Sequence, residues 1–191
     1  MRLTPTRIKD VLLAEPDVFK DHRGFFLESY HGRKYAEAGL KASFVQDNHS
    51  RSAKGILRGL HAQLMKPQGK LIRVVEGEVF DVAVDARPDS PTFGQWVGEL
   101  LSADNFLQLY IPPGFLHGFC VTSSFAEVEY KCTDYYDPSD EIGVKWDDPD
   151  LKIQWPFSDP VLSEKDKKLP GFKDIRESLE LYRGGRLPRP S

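Results

Sequence analysis

Along most of the chain, apolar and polar residues alternate with a period of two. That spacing puts successive side chains on opposite faces of a strand. In residues 43–50, Phe44, Gln46, Asn48 and Ser50 share one face, and Val45, Asp47 and His49 the other. In residues 126–132, Ala126, Val128, Tyr130 and Cys132 oppose Glu127, Glu129 and Lys131. The same reading predicts strands at 25–30, 55–63, 70–75, 78–85, 95–101, 107–111 and 115–121, with a short one near 151–155. Glu76-Gly77 predicts a tight hairpin turn between 70–75 and 78–85, and Pro112-Pro113-Gly114 a rigid turn. Helical text is confined to 32–38, ended by Gly39, and to 163–168 and 173–182. Residues 137–160 otherwise read as Asp-, Pro- and Trp-rich loop. Many short strands cut by turns predict an all-β protein, a double-sheet jelly roll with short peripheral helices. A single domain is expected over 1–182, with a flexible basic C-terminal tail over 183–191.

Composition agrees with a β-rich chain: of 191 residues 12% are aromatic, and 15 Gly and 14 Pro supply turns. Twenty-six Lys and Arg against 29 Asp and Glu leave a net charge of −3. That lacks the basic surplus a nucleic-acid partner demands. No apolar run approaches the ~18 residues of a membrane span, and the N-terminal residues show no apolar targeting core. The expected compartment is the cytoplasm. There Cys120 and Cys132 stay reduced and read as small buried residues rather than a redox pair. On strand 78–85, Phe80, Val82 and Val84 face one way, and Val79, Asp81, Ala83 and Asp85 the other. The acid pair reads as a wet surface.

Of five histidines, two have informative surroundings. Gly55 precedes His61 with five residues between, and Pro112, Gly114 and His117 form Pro-x-Gly-x-x-His. These resemble the two halves of the cupin barrel signature. That signature supplies a metal through His-x-His, a later Glu and the second-motif His. Here Gln63 stands at the second His position and Lys70 at the Glu position. A carboxamide is a poor transition-metal ligand and an ammonium repels a cation, so neither metal nor other cofactor is expected. A barrel with His, Lys and Tyr pointing inward suits proton chemistry instead.

A longer run of motifs narrows the resemblance. Asp21-His22-Arg23-Gly24-Phe25-Phe26-Leu27-Glu28 is followed by Gln46-Asp47-Asn48-His49-Ser50, Gly55-Ile56-Leu57-Arg58-Gly59-Leu60-His61 and Gln68-Gly69-Lys70-Leu71. Then come Asp81-Val82-Ala83-Val84-Asp85, Ser90-Pro91-Thr92-Phe93-Gly94, Ile111-Pro112-Pro113-Gly114-Phe115-Leu116-His117-Gly118-Phe119 and Tyr130-Lys131-Cys132-Thr133-Asp134-Tyr135-Tyr136. In this order, from about residue 3 to about 180, the chain resembles the dTDP-4-dehydrorhamnose 3,5-epimerase family of nucleotide-sugar epimerases, within the cupins.

The resemblance implies a cofactor-independent isomerase acting at C3 and C5 of dTDP-4-dehydro-6-deoxy-D-glucose, in dTDP-rhamnose synthesis. The 4-keto group acidifies the neighbouring C–H bonds. His61 is then the general base, and Asp166 the carboxylate that orients it. Lys70 stabilises the enolate oxygen. Tyr130, protonated at neutral pH, is the proton donor. For substrate binding it implies Gln46, Asn48, Arg58, His117 and Glu141, with Arg23 and Glu28 reaching in from the partner of a homodimer. An Arg fork suits a pyrophosphate. Tyr136, with Tyr135 as adjacent competitor, would stack on thymine. In an ideal strand Arg58 falls on the face opposite His61, so its assignment needs a bulge at Gly59. Three alternatives stay open: a mono-epimerase or 3,4-ketoisomerase of a dTDP-4-keto-6-deoxyhexose, a metal-binding cupin enzyme, and a non-catalytic sugar-binding cupin.

Overall fold

Residues 1–181 are described by a computed structural model; the expected tail over 183–191 lies outside them. In chain order the elements are β1 (Arg2–Pro5), β2 (Leu12–Glu15), β3 (Val18–Asp21), β4 (Gly24–Leu27), α1 (Gly32–Glu37), β5 (Gln46–Ala53), β6 (Leu57–Gln63) and β7 (Lys70–Glu76). Then follow β8 (Glu78–Asp85), β9 (Trp96–Ser102), β10 (Gln108–Ile111), β11 (Phe115–Val121), β12 (Phe125–Cys132), β13 (Glu141–Gly143), a 3₁₀ turn over Asp166–Lys168 and α2 (Arg176–Leu181). One sheet has the order β1-β2-β10-β7-β12-β5, the other β13-β6-β11-β8-β9, and β3-β4 form a separate hairpin. The strands of each pair run antiparallel, as in a jelly roll.

Three apolar clusters hold these layers. Ile72, Val74, Leu109, Ile111 and Val128 of the six-stranded sheet meet Val79, Ala83, Val97, Leu101 and Phe119 of the five-stranded sheet between the layers. Leu60, Val82, Val84 and Leu116 on the outer face of the five-stranded sheet lie under Leu151, Phe172, Ile175 and Leu179. Tyr35 and Leu40, in and just after α1, cover Leu71 and Tyr110 on the outer face of the six-stranded sheet. Strand β8 is therefore packed on both faces, which explains why apolar residues fall on both of them. Cys120 and Cys132 are free and buried.

The structure corrects four expectations. Residues 151–155 form no strand. Leu151, Ile153 and Trp155 alternate because they pack onto the outer apolar cluster, with no neighbouring strand to bond. The short strand is instead Glu141–Gly143, which pairs with the open side of β6. Strands β1, β2 and β3 precede the first predicted one; β1 and β3 leave most side chains exposed, so no alternation reveals them. Helix over 163–168 shrinks to a single 3₁₀ turn. Asp81 and Asp85 are not wet: both are fully buried. Asp85 accepts hydrogen bonds from Arg87, Ser90 and Thr92, clamping the turn after β8. Burial pushes the Asp85 carboxyl up, but these bonds together hold it below its ordinary range.

Candidate functional site

The two sheets separate at one end around a cavity of about 470 Å³. His61 on β6 and His117 on β11 stand side by side on the five-stranded wall, paired in register. Lys70 opens β7, and Tyr130 on β12 projects from the six-stranded wall. Base and phenol thus come from opposite sheets into one space. Glycine makes this wall possible. Gly59 has φ +110, and a Cβ there would sit 2.6 Å from the His117 carbonyl oxygen. The pairing of β6 with β11 slips by one residue at this point. The resulting bulge turns Arg58 to the same side as His61, so both line the cavity.

His61 Nε2 lies 2.7 Å from Asp166 Oδ1 and 3.8 Å from Glu141 Oε1. Asp166 is buried at the 3₁₀ turn. Burial raises its carboxyl, but the bonds from His61, Ser163 and the Gly59 N–H bring it below its ordinary value. Glu141 accepts from Tyr136 Oη at 2.6 Å and pairs with Lys165 Nζ at 2.6 Å. Burial opposes its charge, yet these partners and His61 leave it depressed. His117 Nε2 is 3.0 Å from both oxygens of Asp81.

Lys70 and Arg58 pair with no carboxylate among the described residues. Arg58 Nε donates only to Ser52 Oγ, at 3.0 Å. Burial pushes the Lys70 ammonium below its ordinary value, partly offset by Cys132, Asp81 and Glu141. Burial likewise raises the Tyr130 phenol, keeping it protonated. Two cations without a carboxylate partner, Lys70 within the cavity and Arg58 exposed at it, can receive an enolate oxygen and a phosphate.

An adjoining cavity of about 290 Å³ shares His61, Lys70, Tyr130 and Glu141 with the first, and its further lining includes Gln46, Asn48, Gln63 and Tyr136. Gln46 Nε2 donates to Asn48 Oδ1 at 3.1 Å, so the two amides act as a unit. Tyr136, not Tyr135, lines the space, with its N–H on Gln46 Oε1 at 2.9 Å. Ten of the twelve expected residues therefore gather in two connected cavities. Arg23 and Glu28 do not. They sit at the exposed β3–β4 hairpin and just after it, paired locally with Asp21 and Lys34. Sequence reasoning missed Lys165, whose signal was its place beside Asp166. It also missed Asp81 as the partner of His117, which its alternation with Val79 and Ala83 on one face of β8 could have suggested. Among the described residues, no helix is long and apolar enough to cross a membrane.

A jelly roll with an imidazole–carboxylate pair facing a phenol across its cavity defines a cupin-type protein equipped for proton transfer. The model of the dTDP-4-dehydrorhamnose 3,5-epimerase family matches residues 5–174. A dTDP-4-dehydrorhamnose 3,5-epimerase of Pseudomonas aeruginosa is 59% identical over 91% of this chain and 97% of its own length. The crystal structure of the Legionella pneumophila 3,5-epimerase, in complex with dTDP-4-keto-L-rhamnose, superposes with a TM-score of 0.90. It is 48% identical, and the match covers 100% of this chain and 98% of that one. The Bacillus anthracis 3,5-epimerase, with TDP and PPi bound, gives 0.87 at 49% identity over 89% and 98%. The chain belongs to the dTDP-4-dehydrorhamnose 3,5-epimerase family of isomerases.

Proposed function

We propose that the protein epimerises dTDP-4-dehydro-6-deoxy-D-glucose at C3 and C5, giving dTDP-4-dehydro-L-rhamnose. The observation that carries this reading is the placement of His61 and Tyr130 on opposite walls of one cavity with Lys70 beside them. Nε2 of His61 is committed to Asp166, so Nδ1 is the nitrogen left to take a proton. It removes hydrogen from a carbon next to the C4 ketone. The C–H electron pair moves into the C3–C4 or C5–C4 bond, and the carbonyl pair onto oxygen. Lys70 stabilises that enolate oxygen. Tyr130 returns a proton to the opposite face, and the imidazolium and tyrosinate regain their starting states through solvent. Asp166 holds the Nε2 proton and stabilises the imidazolium.

Arg58 and Lys165 supply cations for the diphosphate, and Tyr136 an aromatic face for thymine. The ligands in the Legionella and Bacillus relatives support this substrate class. Arg23 and Glu28 act from the second subunit of a homodimer. Phe19, Phe25 and Phe26 of their hairpin are each at least 60% exposed, an apolar surface suited to a second copy. A monomeric mass by light scattering overturns the dimer.

Turnover in deuterated water, followed by NMR, tests the reaction. Deuterium is expected at both C3 and C5. Label at one carbon alone reduces the enzyme to a mono-epimerase, and no label removes the reading. Tyr130→Phe is expected to slow product formation more than loss of the substrate's own hydrogen.

A further inference from the structure

Gln63 occupies the position where the cupin signature places its second histidine, and the proton chemistry leaves it without a role. It is 5% exposed at the end of β6. Its Nε2 donates to the Lys66 carbonyl at 2.8 Å and to the Tyr135 carbonyl at 3.2 Å. Its Oε1 accepts the Asp137 N–H at 2.8 Å. Both amide hydrogens and one oxygen lone pair thus go to backbone groups of two loops, and two of the three flank Tyr136. Tyr136 itself is tied to Gln46 through its N–H and to Glu141 through its hydroxyl.

We propose that Gln63 is a positioning residue for the nucleotide end of the site: a buried carboxamide that brackets the Tyr135–Asp137 segment and so fixes the ring of Tyr136. A carboxamide is the side chain that can do this, because it offers donors and an acceptor from one neutral plane. A histidine has no such combination of two hydrogens and one oxygen, and a carboxylate would face two carbonyl oxygens with no hydrogen to give. The inference rests on the proposed role of Tyr136 in binding the nucleotide.

A double-mutant cycle on dTDP binding, read by calorimetry, tests it. Gln63→Met is expected to weaken dTDP by about tenfold, the order set by losing buried hydrogen bonds. In a Tyr136→Ala background the same change is expected to cost less than about twofold, because the ring it positions is gone. Gln63→Glu, which keeps size and acceptor but loses both donors, is expected to weaken dTDP at least as much as Met and serves if the Met variant does not fold. With the keto-sugar substrate, KM rises while kcat stays within about threefold. Equal losses in both backgrounds, or a fall in kcat at constant KM, overturn the proposal. Absence of wild-type turnover would count against the epimerase reading and leave the dTDP cycle decisive for Gln63.

Discussion

Two imidazoles line the cavity, each paired with a carboxylate, and the two pairs are built in different ways. His117 and Asp81 stand on neighbouring strands of one sheet, where register fixes them: Phe119 opposes Asp81 and His117 opposes Ala83. Both are buried, and Nε2 is equidistant from the two carboxylate oxygens. His61 is also on a strand, but Asp166 reaches it from 105 residues away on a 3₁₀ turn and offers one short bond. The His61 side chain is 28% exposed against 7% for His117. A pair locked between registered strands holds a ring still and shields it. A pair with a loop-borne carboxylate and a partly open ring can pass a proton to a bound molecule. The first arrangement suits binding and the second suits catalysis.

The sharpest break between the pairs comes from removing each ring. His61→Ala is expected to abolish deuterium wash-in at both carbons, with kcat lower by about 10²–10⁴ or more, the usual weight of general base catalysis. His117→Ala is expected to keep wash-in at both carbons and to raise KM. Equal loss of exchange in the two variants would erase the distinction.

Next in size is the carboxylate of the open pair. Asp166→Asn keeps the shape but no longer favours a proton on Nε2. The expected fall in kcat is about 10²–10³, somewhat less than for the same exchange in a serine-protease triad. Thermal stability should change little, since the cavity can hydrate the ring. A variant with wild-type kcat would leave Asp166 only a packing role. Asp81→Ala should show the reverse pattern. It strands a buried imidazole donor, so urea unfolding should report a loss of about 1–3 kcal/mol, while kcat drops less than in Asp166→Asn.

The contrast also explains what the sequence could and could not tell. The strand that bears Tyr130 is legible because one face meets the interior and a period of two follows, whereas the strand around His117 is buried along its whole length and reads as an apolar run between turns. The motif around His117 is legible because the turn Pro112-Pro113-Gly114 and the strand after it are local. The mates of the two imidazole rings are not legible from the local pattern alone, although the family resemblance supplies Asp166. Asp81 looks like half of a wet acid pair until β11 is laid beside β8, and Asp166 looks like one more charge in a polar stretch. Only chain folding brings it to the Gly59 bulge. Arg58 was readable on condition of that bulge, which Gly59 supplies. The β13 strand and the bracket at Gln63 depend on loops whose text has no period, so nothing in their spacing announced them.

The smallest expected effect tells the two carboxylates apart through a third group. Lys70 titrates below its ordinary value because burial disfavours its charge, and Cys132, Asp81 and Glu141 oppose that shift in part. Asp166 is not among them. Tyr130 is shifted the other way, upward, by burial. Loss of the Lys70 proton should therefore bring kcat/KM down at a pH below the ordinary lysine value of ~10.4. Asp81→Asn removes a charge that supports the ammonium, so the alkaline limb should move to lower pH. Asp166→Asn, although slower throughout, should leave the limb where it was. Lys70→Arg should carry it upward, because a guanidinium keeps its proton across this range. The measurement is a kcat/KM profile between about pH 6 and 10.5 for the four proteins. A limb that moves with Asp166 and not with Asp81 would place the ammonium beside the open pair and reverse the division of labour argued from the geometry.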